Sequence, residues 1–137
     1  MEFQDEYHQL TFYTLGHKSA DFIHQHIVDC YIAQTANEQT TPIAIFFSLA
    51  GLYLYLEKKY SGRQVQQAHL LMAKKTKEFL KIDLPLNRGD ITVTAVLAVQ
   101  PGDQRDDMIR KWSESVWGAY LDQHSQIIFM TEKLLTK

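Results

Sequence analysis

The segment PIAIFFSLAGLYLYL, residues 42–56, decides the fold of this protein. Apart from the tyrosine hydroxyls, Ser48 is its only polar side chain. Thr41 and Pro42 are typical of a helix start, because proline fits the first helical position, where its missing N–H costs nothing. A helix that is apolar on all sides belongs in the centre of a bundle. We therefore expect a central helix over residues 42–57, too short for the ~20 apolar residues of a membrane span.

The segments on either side predict further helices. Residues 6–15 have amphipathic spacing, and Ser19 is a plausible cap for a second helix that runs to about residue 36. A fourth helix, about 63–79, would form an antiparallel hairpin with the central one, with Gly62 as the left-handed terminator between them.

The second half of the chain completes the bundle. The segment TVTAVLAV, residues 92–99, suits a strand or a helix; we assign a short helix capped by Thr92, because no partner strand is evident. From Met108 to Leu134 the apolar residues keep helical phase, which predicts one long helix or two collinear ones. The predicted fold is all-α: one domain over residues 1–137, a bundle of five to six helices.

Composition excludes several classes of partner. The net charge of −2 and the isoelectric point near 6.3 give no overall field toward nucleic acid or anionic lipid. The single cysteine, Cys30, forbids an internal disulfide and suits a reducing compartment. The N-terminal residues lack the basic start and apolar stretch of a signal peptide. We expect a cytoplasmic protein that binds neither nucleic acid nor membranes.

The segment FIHQHIVDCYIAQ, residues 22–34, concentrates polar groups within an apolar run. His24 and His26 diverge by ~200° on a helix, so they cannot bind the same ion. Helical spacing instead pairs His26 with Asp29 or with Cys30, as half of a metal or catalytic site. The alternative is a buried histidine whose polar atoms are hydrogen-bonded within the fold.

Other candidates come from neighbouring helices. His69 lies on the apolar face of the fourth helix, and Glu57 ends the third. The predicted binding residues are His24, His26, Asp29, Gln34, Glu57 and His69. No complete metal signature is present, so no metal is assigned, although His26, Asp29 and His69 are the candidates if one binds.

Two functions remain open at this point. The first is a ligand-binding or interaction module whose polar residues line an inter-helical pocket for a small molecule. The alternative is a metal-dependent enzyme, hydrolase- or transferase-like, that uses histidine, aspartate and glutamate side chains of helices two to four. The sequence does not decide whether the protein is an enzyme.

The C-terminal helix has a second apolar face. Leu121 and Ile128 point away from the main apolar stripe, with Phe129 beyond them. Such a face needs a second cover, so we predict a homodimer through the C-terminal helix. The alternative is that the first helix folds over this face.

Several segments together resemble an uncharacterised, mostly bacterial family of unknown function. They are YHQLTFYTL, FIHQHIVDCYIAQ, LAGLYLYLEKKYSGRQVQQAH, ITVTAVLA and WSESVW. The most specific element is H-x4-D-x-Y-x2-Q, here His24, Asp29, Tyr31 and Gln34, followed by Glu57. The resemblance implies no activity. It implies that His24, Asp29, Gln34 and Glu57 are the polar residues of interest; the N-terminal cysteine pairs and helix-three histidine of some relatives are absent here.

Overall fold

The computed structural model describes residues 4–16, 22–75 and 80–136. This part of the chain is helical and contains no strand, so the predicted all-α class is confirmed. Its α-helices are α1 Gln4–Gly16, α2 His24–Thr35, α3 Pro42–Leu56, α4 Gly62–Lys75, α5 Val93–Ala98, α6 Asp103–Ala119 and α7 His124–Leu135. These seven exceed the predicted five to six, because a 3-10 turn at Leu121–Gln123 divides the C-terminal region. The predicted cap Ser19 and residues 76–79 lie outside the described residues.

The apolar helix α3 forms the core of the bundle. It begins as predicted, because Thr41 Oγ1 accepts a hydrogen bond from the Ala44 N–H at 3.2 Å and Pro42 occupies the first helical position. Most of its side chains are buried, and it packs against α2, α4, α6 and α7. Burial on all sides explains why its sequence shows no polar face.

Helices α2 and α3 run antiparallel across each other. His26, near the start of α2, stacks on Tyr55 near the end of α3. One turn further along, Asp29 lies against Gly51. Helix α6 covers the other side of α2, where the Trp112 side chain is fully buried.

The turn between α3 and α4 differs from the prediction in its terminating residue. Lys59 adopts the left-handed conformation, with φ of 62°, and the Tyr60 N–H bonds the Leu54 carbonyl at 2.9 Å. This bond closes a loop one residue longer than the 6→1 bond of a Schellman ending, and glycine is the residue that usually takes such a left-handed position after a helix. Gly62 is instead the first residue of α4. The prediction of Gly62 as terminator is therefore wrong.

The start of α4 explains why the left-handed residue comes earlier. Ser61 Oγ accepts from the Gln64 N–H at 3.2 Å, and Gln64 Oε1 accepts from the Ser61 N–H at 2.8 Å. This reciprocal pair is a capping box, which satisfies two N–H groups at the helix start. Because the box sets Ser61 as the cap, the reversal of direction has to be completed before it.

The C-terminal region consists of two helices. Helix α6 ends where the Tyr120 N–H bonds the Trp117 carbonyl at 3.1 Å, and α7 then packs against α3 and α4. Across the described ranges, no helix combines the length and apolarity that crossing a membrane requires.

Candidate functional site

A groove lies where α2, α3, α6 and the turn before α4 meet, with a volume of about 590 Å³. His26 comes from α2, Tyr55 from the last turn of α3, and Arg110 from α6. Lys59 and Ser61 of the α3–α4 turn complete its rim. We call this depression the His26 groove.

His26 is the most unusual residue of the groove. Its side chain is 3% exposed and stacks on the Tyr55 ring, with centroids 3.6 Å apart and planes 12° from parallel. Its Nδ1 atom is buried and has no hydrogen-bond partner among the described residues. Burial lowers the pKa of His26 to about 4, because the surroundings disfavour the charged ring. The imidazole is therefore neutral at pH 7, with one N–H and one bare nitrogen.

Asp29 forms a second buried polar position, outside the groove lining. Its side chain is 3% exposed; Oδ1 accepts from Gln25 Nε2 at 3.2 Å, whereas Oδ2 has no partner in the described part of the chain. A Cβ on Gly51 would come within 1.9 Å of that oxygen, so only glycine leaves room for the carboxyl group. Burial raises the pKa of Asp29 well above its usual value, which favours the protonated acid.

His69 approaches the same glycine from α4. Its Nε2 atom would be 3.2 Å from a Cβ on Gly51, and it lies 2.9 Å from the Phe47 carbonyl, to which it can donate. Burial lowers the pKa of His69, so the neutral ring is favoured here too. The structure thus brings His69 and Asp29 together around Gly51.

The metal candidates do not assemble into a binding group. Within residues 4–16, 22–75 and 80–136, no three His, Cys, Asp or Glu side chains are arranged to hold a metal ion. His26 faces the Tyr55 ring, and Nε2 of His69 already bonds a carbonyl.

The remaining predicted residues hold helices together. His24 Nδ1 lies 2.9 Å from Thr14 Oγ1 and so joins α2 to α1. Burial lowers the pKa of His24. His24 does not line the His26 groove.

Gln34 and Glu57 each bond a tryptophan of α6. Gln34 Oε1 accepts from Trp112 Nε1 at 2.8 Å, while its Nε2 donates to the Ile91 carbonyl at 2.7 Å. Glu57 Oε2 accepts from Trp117 Nε1 at 2.7 Å at an exposed position. Both bonds fix the packing of α6, and neither residue lines the His26 groove.

Of the residues that line the groove, only His26 belongs to the predicted set; those missed include Tyr55, Lys59 and Arg110. Tyr55 carried no polar signal, because the whole of α3 is apolar. Lys59 follows Lys58 at the end of α3, a pattern typical of a solvated helix end, and Arg110 belongs to an ordinary amphipathic helix. Neither Lys59 nor its sequence neighbours are residues typical of a left-handed backbone conformation. Only the structure reveals that conformation.

The fold and the groove define an all-helical protein with a polar groove between its helices. The chain belongs to DUF5946, a family of unknown function, which it matches over residues 4–121. The family resemblance predicted from the motifs is thereby confirmed. The matched region contains every groove residue named above and ends before α7. No curated protein and no solved structure matches the chain.

Proposed function

We propose that this protein is a ligand-binding helical domain, and that a small molecule binds in the His26 groove. The observation that carries the proposal is His26 itself: its ring borders the groove, its Nδ1 is buried, and its other nitrogen, Nε2, has no hydrogen-bond partner among the described residues. A neutral imidazole has one donor and one acceptor nitrogen, so Nε2 is free to bond a ligand in the groove.

The volume of the groove supports the same proposal. Small-molecule sites typically occupy about 300–1,000 Å³. The His26 groove, at about 590 Å³, falls within this range. Its floor is the stacked pair of His26 and Tyr55, and its rim carries the cations of Lys59 and Arg110.

The proposal also covers location and assembly. The one cysteine, Cys30, is free and buried, which is consistent with a cytoplasmic protein. Leu121 and Phe129 are 68% and 66% exposed, which supports a homodimer through the C-terminal helix.

The test is a screen of metabolite-sized compounds by protein-observed NMR with the full chain. Binders should shift the backbone amides of the groove, such as those of Ser61 and Arg110. In a variant with Asp107→Trp, an indole ring would fill the groove from an exposed position on α6, and the binders should lose their effect.

The matched control is Asp103→Trp, one turn earlier on the same helix. Asp103 is also exposed and acidic but does not line the groove, so this variant should bind as the wild type does. Binders that shift other parts of the surface, or that Asp107→Trp leaves unaffected, would overturn the proposed function.

A further inference from the structure

The proton of the His26 ring can be assigned from its surroundings. Nδ1 is enclosed and has no partner within the described residues. If Nδ1 carried the proton, the ring would hold an unpaired buried N–H, which native structures rarely contain. The proton therefore belongs on Nε2, the nitrogen left at the accessible edge of a ring that borders the groove. His26 then presents a hydrogen-bond donor to a ligand.

The cations of the groove are also donors. Arg110 is partly buried and makes no hydrogen bond or ion pair within the part of the chain that the structure describes. Lys59 makes only a long bond, 3.4 Å, from Nζ to the Leu56 carbonyl. Arginine and lysine side chains donate and never accept hydrogen bonds. Like the His26 N–H, Arg110 and Lys59 therefore require a ligand that accepts hydrogen bonds.

Two carboxylates also line the groove, but both have partners. Asp106 Oδ1 accepts from the Tyr13 hydroxyl at 2.9 Å, and Asp107 Oδ2 lies 3.4 Å from Lys111 Nζ. Asp106 is four residues before Arg110, a spacing at which helical side chains commonly pair. No ion pair forms between them, so the guanidinium remains available to a ligand.

From these contacts we infer that the ligand of the His26 groove is an anion, whose carboxylate or phosphate oxygens accept from Arg110, Lys59 and the His26 N–H. This inference rests on the proposed function and adds the chemical class of the ligand. Charge-assisted hydrogen bonds to a carboxylate or phosphate are the strongest polar contacts that these three donors can make.

The test is an NMR titration of the full chain with four small probes. Inorganic phosphate and succinate supply the two anionic groups. Succinamide, which has the succinate skeleton without its charge, and the dication putrescine serve as controls. Phosphate or succinate should shift the amides of Ser61 and Arg110 to saturation, whereas succinamide and putrescine should not. The stronger of the two anions then identifies the group, phosphate or carboxylate, that the natural ligand carries.

A variant with Arg110→Gln should weaken anion binding by roughly tenfold or more, because a hydrogen bond to a charged group is worth about that factor. The matched control is Arg63→Gln. Arg63 lies over the Phe22 ring, 5.2 Å from its centroid, and does not line the groove, so this variant should bind anions as the wild type does.

Three outcomes would overturn the inference. Saturable shifts from succinamide or putrescine, but not from the anions, would refute the inference that the ligand is an anion. They would leave the proposed binding function of the groove intact. Equal weakening by Arg63→Gln and Arg110→Gln would show a general effect of surface charge. Absence of groove shifts from every probe would also overturn it; the proposed function fails as well only if the compound screen yields no binder that Asp107→Trp blocks.

Discussion

Replacing His26 by phenylalanine should change how the stability of this protein depends on pH. Phenylalanine keeps a ring against Tyr55 but cannot titrate. The pKa of His26 is lowered by burial from 6.5 to about 4. Between those values the unfolded chain binds a proton at this residue that the folded chain does not, so His26 makes stability rise with pH. The drop from 6.5 to about 4, taken at about 1.4 kcal/mol for each pH unit, comes to roughly 3 kcal/mol.

The wild-type profile alone does not isolate this effect, because Asp29 acts in the opposite direction. Burial raises the pKa of Asp29 well above its usual value. The unfolded carboxyl loses its proton near pH 3.9 while the folded one keeps it, so this group makes stability fall as the pH rises above about 4. The quantity to measure is therefore the difference between wild type and His26→Phe, in which the contribution of Asp29 cancels.

The assay is urea unfolding, followed by circular dichroism, at pH 4, 5, 6 and 7. The stability of the wild type minus that of His26→Phe should grow by roughly 3 kcal/mol from pH 4 to pH 7. Tyr55→Phe is the control: it keeps the stacked ring and removes no group that titrates in this range, so its profile should run parallel to the wild type. A difference that changes by less than about 1 kcal/mol would refute the neutral, buried state of His26.

Three further predictions follow from single contacts. Gly51→Ala should destabilise the protein by about 2 kcal/mol or more in urea unfolding, because the new Cβ meets Asp29 Oδ2 at 1.9 Å. Adding Asp29→Ala to the same chain should recover most of that loss. A double variant whose loss of stability equals the sum of the two single losses would contradict the contact. Lys59→Gly should stabilise by about 0.5–1 kcal/mol by relieving the left-handed backbone, while weakening anion binding; loss of stability would refute the strain. Phe129→Glu should convert a dimeric mass in sedimentation to a monomeric one with helicity unchanged, and a monomeric wild type would discard the dimer.

The helices could be predicted where their signals are local. Helix α3 is predicted by its Thr-Pro start and its apolar run, which are both local features of the sequence. The ambiguous segment after residue 91 is a helix that begins directly after Thr92, although the Thr92 side chain makes no capping hydrogen bond. The break between α6 and α7 was predicted only as one of two alternatives, because the apolar positions keep nearly the same phase across the short 3-10 turn at Leu121–Gln123.

The site could be predicted only in part. A helical wheel places His26 among the apolar residues of α2, and it is indeed buried. Tyr55 and Arg110, which surround His26, are distant in sequence. They could not be predicted, because the periodicity of one helix does not show which other helices pack against it. Gln34 and Glu57 belong to the family motif, but the motif does not predict their partners. These are Trp112 and Trp117 on α6, which tertiary packing brings near.

The two buried polar groups of α2 reach neutrality by opposite routes. Burial lowers the pKa of His26, which favours the neutral ring, and raises the pKa of Asp29, which favours the neutral acid. Burial therefore favours an uncharged face of α2 where it meets α3, the most apolar helix of the bundle. A charge inside the His26 groove has to be balanced at the rim, where Arg110 and Lys59 lie, and the floor can contribute only a neutral donor. Affinity for an anion should accordingly depend more on Arg110 than on His26.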